Sequence, residues 1–260
     1  QYEDLRPVVR NYIHRCHLRV NRYLDPAGDL FLDAGSGPVQ YPEYLTYSRG
    51  YRYRLCADIS ITALREARRR LGDHGLYVVM DISRLPFRQD AFDGLVSLHT
   101  IHHLPAQDHR QAYAELYRVL KPGRRAVVVN GWSDPPLMRP FNRLAALLKR
   151  LSNRLRRGAP APAAAAGAAP AAPAPAGTFV HKSNAPWLRQ QLADLFPIQV
   201  RVWRSLSTRF TRTYVHPWLL GWVFLRLVYQ LEQLFPRWLG ENGQYPCILF
   251  TKEPQNKENS

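Results

Sequence analysis

The segment Phe31-Leu-Asp-Ala-Gly-Ser-Gly-Pro38 places an acidic residue and two glycines directly after a short apolar run. Glycine lets a chain turn sharply and lets a ligand approach the backbone, and amide groups at the start of a following helix can hold a carboxylate. Asp58 and Asp81 end two further apolar runs, where one carboxylate can accept both hydroxyls of a ribose and the other lies near an adenine ring. This spacing predicts a nucleotide-type pocket.

Three histidines lie at the end of the next apolar run, Phe92 to His99, or just after it. His99, His102 and His103 are candidate proton acceptors, since imidazole titrates near neutrality and a substrate group that must lose a proton needs a base. The alternative is that these histidines are structural. His99 and His102 are the better candidates of the three.

The elements that must position these residues alternate between strands and helices. Strand-like runs cover 29–33, 53–58, 76–81, 92–99 and 125–130, two more cover 198–205 and 247–252, and helical patterns cover 1–25, 60–71 and 107–120. Short apolar runs alternating with helices predict a Rossmann-like α/β fold with a seven-stranded, mostly parallel sheet, helices on both faces and an antiparallel last strand.

The ordered set of motifs resembles the class I S-adenosylmethionine-dependent methyltransferases, in particular the branch that modifies quinones and small molecules. The motifs are the Asp33–Gly37 turn, Asp58, Asp81-Ile82, Leu85-Pro-Phe87, Phe92-Asp93, His102-His103-Leu104 and Leu120-Lys-Pro-Gly123, within about residues 28–132. The resemblance implies that S-adenosylmethionine is the cofactor. It also implies that Asp33, Gly35 and Gly37 shape the methionine pocket, that Asp58 binds ribose, and that Asp81 and Ile82 hold adenine.

The full set of expected cofactor-binding residues is Asp33, Ala34, Gly35, Ser36, Gly37, Asp58, Ile59, Asp81, Ile82 and Ser97. A third glycine often follows the turn in such enzymes, but this chain has Pro38-Val-Gln-Tyr41, so the pocket entrance is expected to differ. Tyr41, Tyr44 and Tyr47 can line the same cavity or pack in the core. The expected reaction is methyl transfer to a small, hydrophobic or lipid-linked acceptor at oxygen or carbon.

Two other kinds of protein share parts of this pattern. A dinucleotide-dependent oxidoreductase predicts Gly-x-Gly-x-x-Gly, whereas the third glycine position here is Gln40. Ser133-Asp-Pro-Pro-Leu137 is similar to a motif of nucleic-acid amino-methyltransferases, but it follows the fifth strand instead of the fourth and lacks the aromatic residue, so a turn is expected. A non-catalytic binding protein on the same fold is a further alternative, against which Asp33, Asp58 and Asp81 argue.

The charge balance favours anionic partners, with 36 Lys+Arg against 20 Asp+Glu and a net charge of +16. Alternatively, a GC-rich genome gives an Arg-rich protein composition, which explains the same charge balance without a function. The helical pattern over 139–157 has one leucine-rich face and a basic remainder, which is typical of a helix on an anionic membrane surface or of a pocket lid. The apolar run Pro217–Leu225 is too short for a span of about 20 residues and is expected to be a cap over lipid or substrate, or to be buried.

These features predict the organisation and setting of the protein. One methyltransferase domain, 1–260, is expected: an N-terminal helix (1–25), a cofactor-binding core (28–132), a basic amphipathic helix (133–157), an Ala/Pro-rich insertion (158–177) and a cap with the last two strands (178–260). Cys16, Cys56 and Cys247 are expected to be buried thiols with no metal, and no signal peptide is visible, so a cytoplasmic location, peripheral at the membrane, is expected. Because Gln1 and not Met begins the chain, further residues are expected before it. A nucleic-acid substrate is the disfavoured alternative.

Overall fold

The computed structural model describes residues 3–157 and 180–254, and their strands form one seven-stranded sheet. The strand order is β3-β2-β1-β4-β5-β7-β6, and β7 runs antiparallel to both of its neighbours while β1 to β5 pair in parallel. The predicted fold class is confirmed. The strands are β1 Gly28–Ala34, β2 Tyr51–Asp58, β3 Gly75–Val79, β4 Gly94–Leu98, β5 Arg125–Val129, β6 Gln199–Arg204 and β7 Tyr245–Thr251.

Helices cover both faces of this sheet. One buried cluster packs Leu116 of α3 and Leu188 of α5 against the sheet, and a second cluster on the other face includes Leu64 of α2. The helices are α1 Pro7–Leu18, α2 Ile61–Leu71, α3 Asp108–Val119, α4 Arg139–Arg157, α5 Ala185–Leu192, α6 Thr208–Tyr214, α7 Gly221–Leu234 and α8 Pro236–Asn242. Ser60, the expected N-cap, accepts a hydrogen bond from the Ala63 amide at 3.2 Å.

The connection from β1 to β2 differs from the prediction. An α-helix was expected directly after the glycine turn, but the described chain there has only a short 3-10 helix, Pro42–Thr46. Pro38 and Pro42 lack an amide hydrogen, so neither can donate a backbone hydrogen bond within a helix that starts at the turn. The expected helix N-terminus beside the turn was therefore wrong, and the amides of Gly35 and Ser36 donate to the Ala57 carbonyl instead.

The N-terminal helix is shorter than the predicted range of 1–25. It begins at Pro7, whose fixed φ and missing amide hydrogen suit a first helical position, and α1 is followed by a 3-10 helix, Arg19–Arg22. Val9, Ile13 and Cys16 of α1 are buried with residues of α7 in a third apolar cluster. This cluster fixes α1 and α7 to each other beyond the β6 edge of the sheet.

The second half of the chain completes the sheet with β6 and β7. Ser133–Leu137 forms bends and the start of a 3-10 helix, as expected for a turn. The predicted Ala/Pro-rich insertion, 158–177, lies outside the described residues. None of the helices in the described ranges has both the length and the apolar composition that a membrane span requires.

Candidate functional site

The glycine turn lies where β1 ends, at the carboxyl edge of the sheet. Gly35 has a φ of 73° and Gly37 a φ of 53°, both in the left-handed region that favours glycine. A Cβ at Gly35 would lie 2.0 Å from the Thr100 Cγ2 atom, and the Thr100 hydroxyl donates to the Gly35 carbonyl at 3.0 Å. Gly35 is thus required both by its backbone conformation and by the close approach of the segment after β4.

The segment that replaces a third glycine keeps the same kind of backbone. Val39 has a φ of 49°, a conformation that a β-branched residue rarely adopts, and its side chain is buried. Its amide donates to the Ser36 carbonyl at 3.4 Å, which closes the turn. Val39 therefore carries backbone strain beside the predicted pocket.

Asp58 joins the turn to the start of α2. Its carboxylate accepts hydrogen bonds from the Gly37 amide and from the Ser60 amide, each at 2.8 Å. The two motifs that are 21 residues apart in the sequence are therefore in direct contact. Ile59, beside Asp58, is 78% exposed and presents an apolar surface at the same edge. We refer to the Gly35–Gly37 turn, Asp58 and Ile59 as the cofactor edge.

Asp81 follows β3, next to the end of β2. The Met80 amide donates to the Asp58 carbonyl at 3.2 Å, so the two predicted acids lie on adjacent strand ends. The exposed Asp81 carboxylate accepts from the amide and hydroxyl of Ser83 at 2.8 and 2.9 Å. Ile82 is only 4% exposed and belongs to the core, so the apolar side chain available to an adenine ring at this edge is Ile59.

The remaining residues predicted to bind the cofactor are largely buried within the protein. The buried Asp33 carboxylate accepts hydrogen bonds from the Arg54 guanidinium, which also donates to the Tyr44 carbonyl, so Asp33 anchors the end of β1 from beneath. Ala34 lies in the core, and the Ser36 hydroxyl donates to the Gly37 carbonyl at 3.2 Å. Ser97 is fully buried in β4, and its hydroxyl has no hydrogen-bond partner within the described chain.

The histidines after β4 occupy different positions. His99 has a φ of 56°, and its ring packs against the rings of Trp203 and Tyr245 at centroid distances of 5.0 and 5.5 Å. Burial, followed by the charge of His102, lowers the pKa of His99 to about 3. The imidazole is consequently neutral at physiological pH.

His102 lies on the 3-10 turn that follows His99. Its Nδ1 is 3.5 Å from the Asn130 Oδ1, and Asn130 donates to the Tyr113 hydroxyl at 3.1 Å. Burial lowers the pKa of His102 to about 4. His103 stacks beside His102 but is exposed, so His99 and His102 are the two that face the inside of the site.

Side chains that the sequence analysis did not single out complete this end of the site. Trp203 and Arg204 end β6, Tyr245 begins β7, and His17 of α1 stacks on Trp203 at 5.5 Å. We call His17, His99, Trp203, Arg204 and Tyr245 the aromatic cluster. The signal that could have found Trp203 and Arg204 is their position at the carboxyl end of a predicted strand.

The aromatic cluster contains buried donors without acceptors. The Trp203 indole nitrogen and the Nε and Nη1 atoms of Arg204 have no hydrogen-bond partner in the described ranges. Arg204 lies over the Tyr245 ring at 4.5 Å, and its nearest carboxylate is Glu3, at 3.4 Å from Nη1. Unpaired buried donors are costly, so an oxygen that accepts from them would be bound favourably.

Comparisons with known proteins agree with this geometry. Residues 32–128 match the family described as methyltransferase domain. The chain is 30% identical over 115 residues to a ubiquinone/menaquinone biosynthesis C-methyltransferase of Desulfotalea psychrophila, covering 43% of this chain and 44% of that protein. It is 32% identical over 127 residues to a tRNA (carboxymethyluridine(34)-5-O)-methyltransferase of Arabidopsis thaliana, covering 46% of this chain and 29% of that protein.

A solved structure shares the fold over nearly the whole chain. Geranyl diphosphate C-methyltransferase from Streptomyces coelicolor A3(2) superposes with a TM-score of 0.56 at 17% identity, covering 94% of this chain and 82% of that one. Residues 32–128 of the chain thus match a methyltransferase domain, and the superposition shows a shared fold. The chain spans less than half the length of the curated relatives named above.

Proposed function

We propose that this protein transfers a methyl group from S-adenosylmethionine to a small, hydrophobic or lipid-linked acceptor at oxygen or carbon. The observation that carries the proposal is the continuity of the two halves of the site. Thr100 contacts Gly35 of the cofactor edge, while the preceding residue, His99, packs in the aromatic cluster. A cofactor on one side of this pair and an acceptor on the other would be adjacent.

The cofactor edge has the groups that S-adenosylmethionine needs. The two glycines let the methionine part of the cofactor approach the backbone of the turn closely, and Asp58 offers a carboxylate to the ribose hydroxyls. Ile59 can cover one face of the adenine, with Asp81 near its amino group. Ala34, Ser36, Ile82 and Ser97 support this edge from within, and Asp33 fixes it through Arg54.

Little covalent help from the protein is needed for this chemistry. Bound S-adenosylmethionine supplies an electrophilic methyl group, so the protein must align the acceptor and exclude water. The packed rings of His99, Trp203 and Tyr245 provide a dry wall for that purpose. Because its pKa is about 3, His99 is a weak base. It fits the role of a neutral imidazole that accepts a hydrogen bond from the substrate and thereby orients the atom to be methylated.

The buried hydrogen-bond donors of the aromatic cluster restrict the chemical class of methyl acceptor that would bind there. Trp203 Nε1 and Arg204 Nε, which have no hydrogen-bond partner in the described chain, can donate to an oxygen that is anionic or strongly polarised, while Arg204 Nη1 lies 3.4 Å from the Glu3 carboxylate. The surrounding rings favour an apolar body. An enol, phenol or carboxylate on a hydrophobic skeleton has both properties.

A nucleic-acid substrate is the second candidate. The net charge of +16 favours it, as does the similarity to a tRNA methyltransferase. Against it, the aromatic cluster is largely buried, with Trp203 fully enclosed and His17 1% exposed, whereas single-stranded bases stack on accessible rings. Peripheral association with a membrane, which would bring a lipid-linked acceptor to the enzyme, belongs to the first proposal.

The test is transfer of isotope from methyl-labelled S-adenosylmethionine in a cell extract. We expect label in the organic-solvent extract and none in the precipitated RNA, and calorimetry should detect binding of S-adenosylmethionine by the purified protein. Label in RNA alone would replace the first proposal by the second. Absence of S-adenosylmethionine binding would exclude both and leave a non-catalytic role on this fold.

A further inference from the structure

The outward face of α7 is an apolar stripe. Leu220, Phe224, Leu227, Leu231 and Leu234 recur at intervals of four and three residues, which places them on one side of a helix. All five are 40% or more exposed, and Leu234 is 70% exposed. Four further exposed large side chains adjoin the stripe at its two ends: Trp218, Trp222, Phe235 and Trp238.

The inward face of the same helix carries its acid. Glu232 is buried and accepts hydrogen bonds from Tyr12 at 2.6 Å, Arg19 at 2.8 Å and the Ser205 amide at 2.8 Å. Leu225 and Tyr229 pack beside it in the cluster with α1. A helix on a water-exposed surface has mostly polar residues outward, whereas α7 has large apolar side chains on its exposed face as well as on its buried face.

The charges around the stripe have one sign. Between 205 and 240 the charged residues other than Glu232 are Arg209, Arg212, Arg226 and Arg237, and all four are exposed. A groove of about 180 Å³ between α1 and α7 is lined by Arg15 and Arg226 beside Trp222. Cations and aromatic side chains at the rim of an apolar face are what a phosphate-bearing interface attracts.

The apolar surface continues onto the first turns of α4. Phe210 lies between the rings of Phe141 and Phe224, at 4.8 and 6.1 Å. Leu144 and Leu147 are about half exposed, and the sequence from 139 to 157 contains six Arg, one Lys and no acid. Among the side chains that the structure describes, α4 contributes Arg139, Arg143 and its two leucines and α7 contributes Arg226 and its leucines to one region of the surface, without an exposed acid from either helix.

We propose that this region, formed by the α7 stripe, its flanking tryptophans and the exposed side of α4, docks on an anionic lipid bilayer. The leucines would enter the acyl boundary, the tryptophans would lie at headgroup depth, and the arginines would pair with lipid phosphates. A symmetric dimer through the same region would bring arginines against arginines, which opposes association. An RNA surface pairs with arginines but has no counterpart for a row of leucines.

Vesicle flotation tests this docking without the cofactor, so its outcome is independent of methyl transfer. The wild-type protein should float with vesicles of phosphatidylcholine and phosphatidylglycerol, and much less with phosphatidylcholine alone. The variant Leu227→Gln/Leu231→Gln/Leu234→Gln should lower the partition constant about 100-fold, since each leucine loses its share of apolar burial. Arg226→Gln/Arg237→Gln should remove the preference for the anionic lipid.

A matched control lies at the opposite end of the sheet. Ile61, Leu76 and Val79 are comparably exposed, at 54, 40 and 53%, so Ile61→Gln/Leu76→Gln/Val79→Gln should float like wild type. Circular dichroism verifies that both triple variants are folded. Three results would overturn the proposal: no flotation of the wild type, equal loss in the control variant, or a solution dimer that only the α7 variant dissociates. RNA binding unaffected by the leucine changes, without flotation, would overturn it in favour of a nucleic-acid face.

Discussion

The cofactor edge and the aromatic cluster lie on the same edge of the sheet but differ in how their polar groups are satisfied. At the cofactor edge, the Asp58 carboxylate already bridges the Gly37 and Ser60 amides. In the aromatic cluster, Trp203 Nε1 and Arg204 Nε are buried without a hydrogen-bond partner in the described chain. The proposed function places cofactor binding at the first region, whose polar groups are already paired, and acceptor selection at the second, whose buried donors a ligand would satisfy.

The largest effect is expected from Asp58→Ala. The variant removes the acceptor for the ribose hydroxyls and also releases the Gly37 amide of the turn and the Ser60 amide at the start of α2, so the dissociation constant for S-adenosylmethionine should rise by about 100-fold or more. Calorimetric titration measures it. Asp73→Ala, an exposed acid in the connection from α2 to β3, serves as the control and should bind normally. Near-normal affinity in Asp58→Ala would contradict the assignment of this edge to the ribose.

The next effect is expected from Arg204→Met, which keeps the stem of the side chain but removes its donors. Because a hydrogen bond to a charged group contributes about 1.5–3 kcal/mol, kcat/KM for the methyl acceptor should fall roughly 10- to 100-fold. The affinity for S-adenosylmethionine should stay unchanged. Arg201→Met, three residues earlier on β6, bonds only to neighbours on its own strand and is the control. Equal loss of cofactor affinity would show that the two regions are one site.

The cofactor edge can be predicted from the sequence more completely than the aromatic cluster. Asp58 and Ser60 are two residues apart, and glycines in a turn have a local cause, so the cofactor edge could be predicted from local patterns. His99, Trp203 and Tyr245 come from three strands, and they meet only because β7 inserts between β5 and β6. Local periodicity contains no information on that strand order.

Two other features show the same limit. The described chain has a short 3-10 helix where an α-helix was expected after the glycine turn, because Pro38 and Pro42 cannot donate backbone hydrogen bonds. The apolar composition of Pro217–Leu225 is evident from the sequence, but α7 has leucines on both of its faces. Composition alone therefore cannot tell which of these leucines are exposed and which are buried. Glu232, which points inward, would have suggested the opposite orientation.

A smaller effect concerns the dependence of stability on pH, where His99 and His17 should act in opposite directions. The pKa of His99 is lowered to about 3, so the unfolded chain binds more protons than the folded one below about pH 6.5, and stability falls as the pH falls. Burial disfavours the charged form of His17, but hydrogen bonds to Glu3 and Glu43 outweigh it and raise its pKa. That contribution is fully present below about pH 6.5 and is lost as the pH rises through the raised value.

Chemical denaturation across this pH range distinguishes the two histidines. His99→Asn, which tolerates a positive φ, should lose less stability on acidification than wild type. His17→Gln should be destabilised most at the acidic end and least at the alkaline end. Parallel curves for the two variants would contradict the assigned pKa directions, and a steeper acid loss in His99→Asn would show that His99 is charged in the folded protein.

The smallest effect should appear in thiol labelling, which compares the mobility of the two regions. Cys56 lies opposite Asp33 under the cofactor edge, and Cys247 follows the start of β7 beside the aromatic cluster. Burial raises the pKa of each thiol to about 12, which lowers the thiolate fraction about a thousandfold relative to a thiol of pKa 9. Native protein should therefore react slowly with iodoacetamide at all three cysteines, and denatured protein should react fully.

The order of the two rates is the informative result, since labelling of a buried thiol requires local opening. An acceptor region that only a ligand completes should open more often, so mass spectrometry should find Cys247 labelled before Cys56. S-adenosylmethionine should slow the labelling of Cys56 more than that of Cys247. If Cys56 reacts first in the absence of ligand, the cofactor edge opens more often than the aromatic cluster. The proposed contrast between a preorganised cofactor edge and an aromatic cluster that a ligand completes would then be wrong.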